Sequence, residues 1–266
     1  MYAFDYQRPA GLDEALAALR AGEDVKLLAG GQTLLPTLKQ RLAQPSALVD
    51  LSRLPGLSGV ERIDGGLRIG AMTRHAEVAA SALVAQAIPA LAALAGLIGD
   101  PAVRNRGTIG GSIANNDPTA DYPAACLALG ATIVTSARRI AAEDFFTDLF
   151  ETALAPDEVI LAVEFPAGVR AAYQKFRNPA SRYAMAGVFV AERGGDVRVA
   201  VTGAGQSGVF RWGEAEAALT AHFSPDAVAS LSLDPANVMS DLHGSAEYRA
   251  QLVKVMAKRA VAVILG

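Results

Sequence analysis

Thr108-Ile109-Gly110-Gly111-Ser112, running directly into Ile113-Ala114-Asn115-Asn116-Asp117-Pro118-Thr119-Ala120-Asp121, is the stretch on which the reading of this chain turns. A glycine pair framed by a β-branched apolar residue and a hydroxyl residue lets a backbone approach a ligand closely. A related pattern occurs earlier, at Ala29-Gly30-Gly31-Gln32-Thr33. That copy falls between a predicted strand and a predicted helix, where free N–H groups favour phosphate. Neither copy is the G-x-G-x-x-G fingerprint, because the third glycine is missing. A glycine pair alone is more often just a turn, but two such turns can hold the two phosphates of one pyrophosphate from opposite sides. Asn115, Asn116, Asp117 and Asp121 add two amides and two carboxylates within seven positions. Those groups suit ribose or ribityl hydroxyls, each of which donates and accepts. The other reading of that segment is a capped, solvated loop.

Working outward from the first copy, Leu12, Ala15, Leu16 and Leu19 recur at helical spacing, and Gly22 ends the helix they predict. Val25–Leu28 reads as a strand, Thr33–Arg41 as a helix with Pro36 in its first turn, and Ala47–Asp50 as a second strand. These make one α/β unit over residues 1–55. Around the second copy, Gly65-Gly66 introduces the strand Leu67–Ala71, helices are expected near 74–81 and 88–97, and a polar, glycine-rich segment spans 99–121. A helix at Tyr122–Leu129 and strands at Thr132–Thr135 and Val159–Phe165 complete a second α/β unit, 56–168. In the last hundred residues Val188–Glu192 and Val197–Thr202 read as strands joined by Gly194-Gly195-Asp196. Helices at Glu214–His222, Pro225–Leu231 and Ala246–Leu265 back them.

Composition narrows the class. With 266 residues, 52% hydrophobic and 19% charged, the chain can bury a sizeable core and is not of the disordered type. A net charge of −3 argues against a nucleic-acid partner, which wants a basic face. Cys126 is the only cysteine, so the chain forms no internal disulfide and cannot hold an iron–sulfur cluster with its own thiolates. It reads as a buried structural thiol. Val78–Gly99 carries no charge and has the length of a membrane span. It is rich in alanine and interrupted by Pro89, so it reads as two buried helices. Asp5 and Arg8 precede any apolar run, which argues against a secretory leader; the expected location is cytoplasmic. His75, His222 and His243 show no metal-ligand spacing, and each reads as structural or surface.

Taken together, Ala29–Pro36, Gly99–Ala114 and Asp117–Asp121 resemble the FAD-binding medium subunit of carbon monoxide dehydrogenase and xanthine dehydrogenase-type molybdenum hydroxylases. The opening Phe4–Pro9, then Glu143–Phe146, Tyr173–Phe176 and Gly244–Arg249, extend the resemblance over nearly the whole chain. It implies an α+β fold: a PCMH-type FAD-binding domain of two α/β subdomains (1–55 and 56–168), then a C-terminal CO dehydrogenase flavoprotein-like domain (171–266) with a small antiparallel sheet and helices. It implies non-covalent FAD. Lys26, Leu27, Leu28, Ala29, Gly30, Gly31, Gln32 and Thr33 would line the first pyrophosphate loop. Thr108, Ile109, Gly110, Gly111 and Ser112 would form the second, with Asn115 and Asp121 at the ribityl and phosphate region. Ile98 and Ile160 would pack near the flavin ring, and Lys175 and Tyr183 would lie close to it from the C-terminal domain. Tyr183 reads otherwise as a core tyrosine. Arg104 and Arg106 flank the glycine loop, either holding it by hydrogen bonds or solvated.

The resemblance further implies an oxidoreductase that is inactive alone. A large partner subunit would carry a molybdenum cofactor and a small one [2Fe-2S] clusters, in a dimer of heterotrimers. This chain would pass electrons to quinone, NAD or oxygen. One departure is Gln32, where carbon monoxide-oxidising members carry His; it argues against carbon monoxide as substrate and leaves FAD binding intact. The competing readings are a self-sufficient flavin oxidoreductase of the same FAD-domain superfamily and an assembly subunit that has lost FAD.

Overall fold

The computed structural model describes all residues, Met1–Gly266. Its first strand, β1 (Asp5–Gln7), is polar and exposed and has no local sequence signal. It pairs in parallel with β3 (Ala47–Asp50), a strand buried at every position, whose backbone needs partners on both sides. Between them come α1 (Leu12–Ala21), β2 (Val25–Leu28) and α2 (Leu34–Lys39). The resulting sheet is parallel throughout, in the order β1-β3-β2. Ala15 of α1 packs on Val49 and Leu51 beneath it.

The middle unit opens with a hairpin, β4 (Val60–Ile63) and β5 (Gly66–Gly70). Three helices follow where two are expected: α3 (His75–Ala80), α4 (Ala82–Ala87) and α5 (Pro89–Leu97). Ser81 makes the difference, because its hydroxyl accepts from Val84 N and starts a new helix. No helix is long and apolar enough to cross a membrane. Within 99–121 lie two short helices, α6 (Pro101–Arg104) and α7 (Ile109–Asn115), capped by the side chains of Asp100 and Thr108. After α8 (Tyr122–Leu129) come β6 (Thr132–Thr135), β7 (Arg139–Ala141), α9 (Ala142–Phe145), the hairpin β8 (Phe146–Asp148) and β9 (Glu151–Thr152), and β10 (Ile160–Pro166). The sheet β4-β5-β10-β6-β7 is antiparallel throughout, so this unit is not built from βαβ crossovers.

A third sheet, again antiparallel, consists of β11 (Arg170–Arg177), β12 (Ala184–Arg193), β13 (Asp196–Thr202) and β14 (Phe210–Arg211). It is followed by α10 (Gly213–Ala221) and α11 (Ala246–Leu265). The helix expected over Pro225–Leu231 is reduced to a 3-10 turn, Pro225–Val228. β12 is apolar at nearly every position because both of its faces are covered. Phe189 and Ala191 enter a core with Tyr122 and Cys126 of α8, while Ala186, Val188 and Val190 enter another with Val253, Met256 and Ala257 of α11. Side chains alternate across a strand, so one run feeds two cores. α8, in turn, is buried on every side, which is why it shows no polar face. It packs on β12 and β13, while β11 runs beside α5 and is hydrogen-bonded to Asp121 at the start of α8. One parallel and two antiparallel sheets with their helices make an α+β molecule.

Candidate functional site

A cleft of about 670 Å³ is lined from all three sheets. On its first side the chain leaves β2 and turns at Gly30-Gly31, Gly31 taking φ +71°. A methyl on Gly30 would meet the carbonyl oxygen of Arg106, and one on Gly111 would lie 3.3 Å from Ala29 Cβ. The two glycine turns therefore touch. The N–H groups of Gly31, Gln32 and Thr33 have no acceptor within the protein. A row of free donors facing a cleft suits an anionic ligand.

The second turn is built differently. Ile109 N donates to Thr73 O at 3.1 Å and Gly110 N to Ala71 O at 2.8 Å. Gly111 N donates to Thr108 Oγ1 at 3.1 Å. The N–H groups of Ile109, Gly110, Gly111 and Ser112 are thus engaged inside the fold, so the two turns differ in the donors they leave free. What this turn offers is closeness: a Cβ on Gly110 would lie 2.6 Å from Ala71 Cβ.

The cleft wall includes Lys26, Leu27, Ala29, Gly30, Gly31, Gln32 and Thr33 from the first unit. From the middle unit come Ile98, Thr108, Gly110, Gly111, Ser112, Asn115, Asp121 and Ile160, and from the last Lys175 and Tyr183. Leu28 and Ile109 do not belong to it. Leu28 extends its side chain back toward Gly31, and Ile109 is sealed in the core of the middle unit. Lys26 sits at the rim, paired with Asp24 at 2.9 Å. Tyr183 is 48% exposed and is therefore not a core tyrosine. Arg104 resolves as a brace, donating to Ile98 O at 2.9 Å and Gly99 O at 3.2 Å. Asp117 accepts from Thr119 N and Oγ1, so part of the polar segment is a capped turn.

Asp121, expected to meet the ligand, is engaged on both oxygens by the protein itself. Lys175 Nζ donates to Oδ2 at 2.9 Å and the Tyr173 hydroxyl to Oδ1 at 2.5 Å. The Lys175 and Asp121 side chains are only 2% and 4% exposed. Burial pushes the Asp121 carboxyl above its usual range, against the opposing pull of Lys175 and Tyr173. Lys175 also donates to Leu97 O at 3.3 Å, tying the last sheet to the end of α5.

His75 is the residue that sequence reasoning set aside and the structure places on the cleft wall, buried. A lone histidine with no spaced partner gives no signal in sequence. Burial, with Arg104 nearby, lowers its ring to about 4. Cys126 is buried, and desolvation drives its thiol well above the usual range. No group of three or more His, Cys, Asp or Glu side chains is placed to hold a metal.

A turn of free N–H groups, a second turn in close approach and apolar walls at Ile98 and Ile160 give the cleft the chemistry that a nucleotide cofactor requires. Comparison with known proteins makes the cofactor specific. Residues 2–168 match the family described as the FAD binding domain in molybdopterin dehydrogenase. The chain is 37% identical to the nicotine 6-hydroxylase medium subunit of Paenarthrobacter nicotinovorans, over 97% of this chain and 96% of that one. It is 36% identical to the carbon monoxide dehydrogenase medium chain of Hydrogenophaga pseudoflava, over the same shares, 97% and 96%. The reconstituted CO dehydrogenase from Oligotropha carboxidovorans superposes with a TM-score of 0.90 at 35% identity, over 98% of this chain and 97% of that one. The chain belongs to the FAD-binding medium subunits of the molybdopterin dehydrogenases. It is a FAD-binding subunit of a multi-subunit oxidoreductase, and the residues of the cleft fit that cofactor.

Proposed function

We propose that this chain carries the non-covalent flavin of a molybdenum hydroxylase and passes electrons from [2Fe-2S] clusters on a small partner subunit to an external acceptor: quinone, NAD or oxygen. A large partner would hold the molybdenum cofactor and the substrate, in a cytoplasmic dimer of heterotrimers. The observation that carries this reading is the cleft walled by all three sheets in a chain whose one thiol is buried, so that clusters must come from elsewhere.

Bound FAD supplies the redox chemistry, and the protein supplies position and electrostatics. The free N–H groups of Gly31, Gln32 and Thr33 would bind the diphosphate. Thr108, Gly110, Gly111 and Ser112 would let it approach, and Asn115 would reach the ribityl hydroxyls. Ile98 and Ile160 would exclude water from the ring, with Tyr183 limiting access on the open side. Lys175 has three ammonium protons, two of them held by Asp121 and Leu97 O. The third would offset negative charge on the ring. Gln32 in the first turn supports an organic substrate rather than carbon monoxide.

The test is to purify the chain, add FAD, record the visible spectrum, and then add the partner subunits and substrate. Flavin binding without turnover by the isolated chain, followed by bleaching of the flavin band in the complex, is expected. Turnover by the chain alone would establish a self-sufficient oxidoreductase. A complex without flavin would establish an assembly subunit.

A further inference from the structure

His75 begins α3 and is 4% exposed, with its ring on the cleft wall beside Gly107. Glycine at 107 admits the ring, since a Cβ there would come within 2.5 Å of Nε2. Nδ1 is enclosed without a hydrogen-bond partner. So is the hydroxyl of Tyr122, whose ring centroid lies 5.4 Å from that of the imidazole. Two orphaned polar atoms on neighbouring rings are rare in a protein interior. Nε2 also lacks a partner in the protein, but it is not among the enclosed unpaired atoms and opens on the cleft. The ring is held neutral by its burial. A neutral imidazole has one N–H and one lone pair, and the bond made by one nitrogen fixes the state of the other.

We propose that His75 is a binding residue for the flavin dinucleotide, donating from Nε2–H into the cleft, while the Tyr122 hydroxyl tilts to donate to Nδ1 and fixes that tautomer. The arrangement satisfies all three unpaired atoms together. The direction follows from the ligand, whose diphosphate, ribityl and ring-carbonyl oxygens are mainly acceptors. His75 thus adds a side-chain donor to the free N–H row of the first glycine turn, from beside Gly107, which itself packs on Gly30. The inference rests on the assignment of the cleft to FAD.

The chain has only three histidines, and His222 and His243 are exposed. His222→Gln/His243→Gln protein labelled with 15N-histidine therefore reports His75 alone. FAD titration is expected to shift its Nε2 resonance, with the Nε2–H tautomer retained between about pH 6 and 8. His75→Ala should weaken FAD binding about tenfold by fluorescence titration, the order of one lost hydrogen bond. His75→Gln should recover part of that loss. Tyr122→Phe should alter the tautomer signature in the holoprotein. Weaker binding with a shifted flavin midpoint potential places the acceptor on the isoalloxazine ring; weaker binding at unchanged potential places it on the diphosphate or ribityl chain. FAD bound with unmoved His75 resonances overturns the inference, even if His75→Ala fails to fold. No FAD binding by the parent protein overturns the assignment of the cleft itself.

Discussion

Replacing Lys175 by Met removes the counter-charge of a carboxylate sealed between two sheets. The ions are 2.9 Å apart, with side chains 2% and 4% exposed. At an effective dielectric near 20 their gross attraction is about 6 kcal/mol, much of it offset by desolvation of the two charges. What a single substitution loses is mainly the penalty of a stranded charge, about 3–5 kcal/mol. Lys175→Met should fall near 3 kcal/mol, because Asp121, already raised by burial, can take up a proton. Asp121→Asn should fall higher, since it leaves an ammonium with only Leu97 O. The double variant has no buried charge, and the amide that replaces the carboxylate would still accept from Tyr173, so about 1–2 kcal/mol is expected. Urea unfolding of the four proteins at neutral pH, followed by circular dichroism, gives the cycle. The Lys175→Met melting point should drop by about 10 °C. Its deficit should shrink as pH falls, because a protonated Asp121 needs no counter-charge. Single effects that add within about 0.5 kcal/mol in the double variant would refute the reasoning.

Gly30→Ala should push the two glycine turns apart, costing about 1–3 kcal/mol and FAD retention on dialysis. Retention equal to the parent would show that the turns need not touch. The Arg138 guanidinium holds Glu158 down to about 2, from 4.5, with help from Ala155 N and the Thr135 hydroxyl. That pair stabilises fully above about pH 4.5 and is lost as pH falls toward 2. Arg138→Gln should therefore flatten the acid limb of stability measured from pH 7 to 3. Cys126 should resist alkylation in the native protein and react only on unfolding, as followed by mass spectrometry.

Local signals were legible in the sequence. The helix at Ala246–Leu265 shows its buried positions as a repeating pattern behind a Ser245 cap, and β2 and β3 are short apolar runs bounded by turns. What depends on distant partners was not. β1 is exposed at all three residues and exists only through β3; no local pattern marks it. β11 is half buried against α5 and α11, elements far away in sequence. The short helices within 99–121 are hidden by glycine, proline and polar caps, the residue types that mark loops elsewhere. The glycine pairs pointed to the cleft, but not to their different chemistry, which depends on whether Ala71 and Thr73 carbonyls are in reach. His75 acquires its place only when Gly107 and Tyr122 close around it.

The most buried ion pair in the molecule lies across the boundary of its recognisable family segment. Asp121 falls inside the matched span 2–168, whereas Lys175 and Tyr173 stand on β11, beyond it. Residues 1–168 cut out alone would keep both glycine turns yet face a lone carboxylate toward a missing sheet. A C-terminal sheet exchanged into this chain would have to bring a cation and a hydroxyl to the same place to keep both Asp121 oxygens paired. The two parts of the chain are thus joined by charge as well as by linkage.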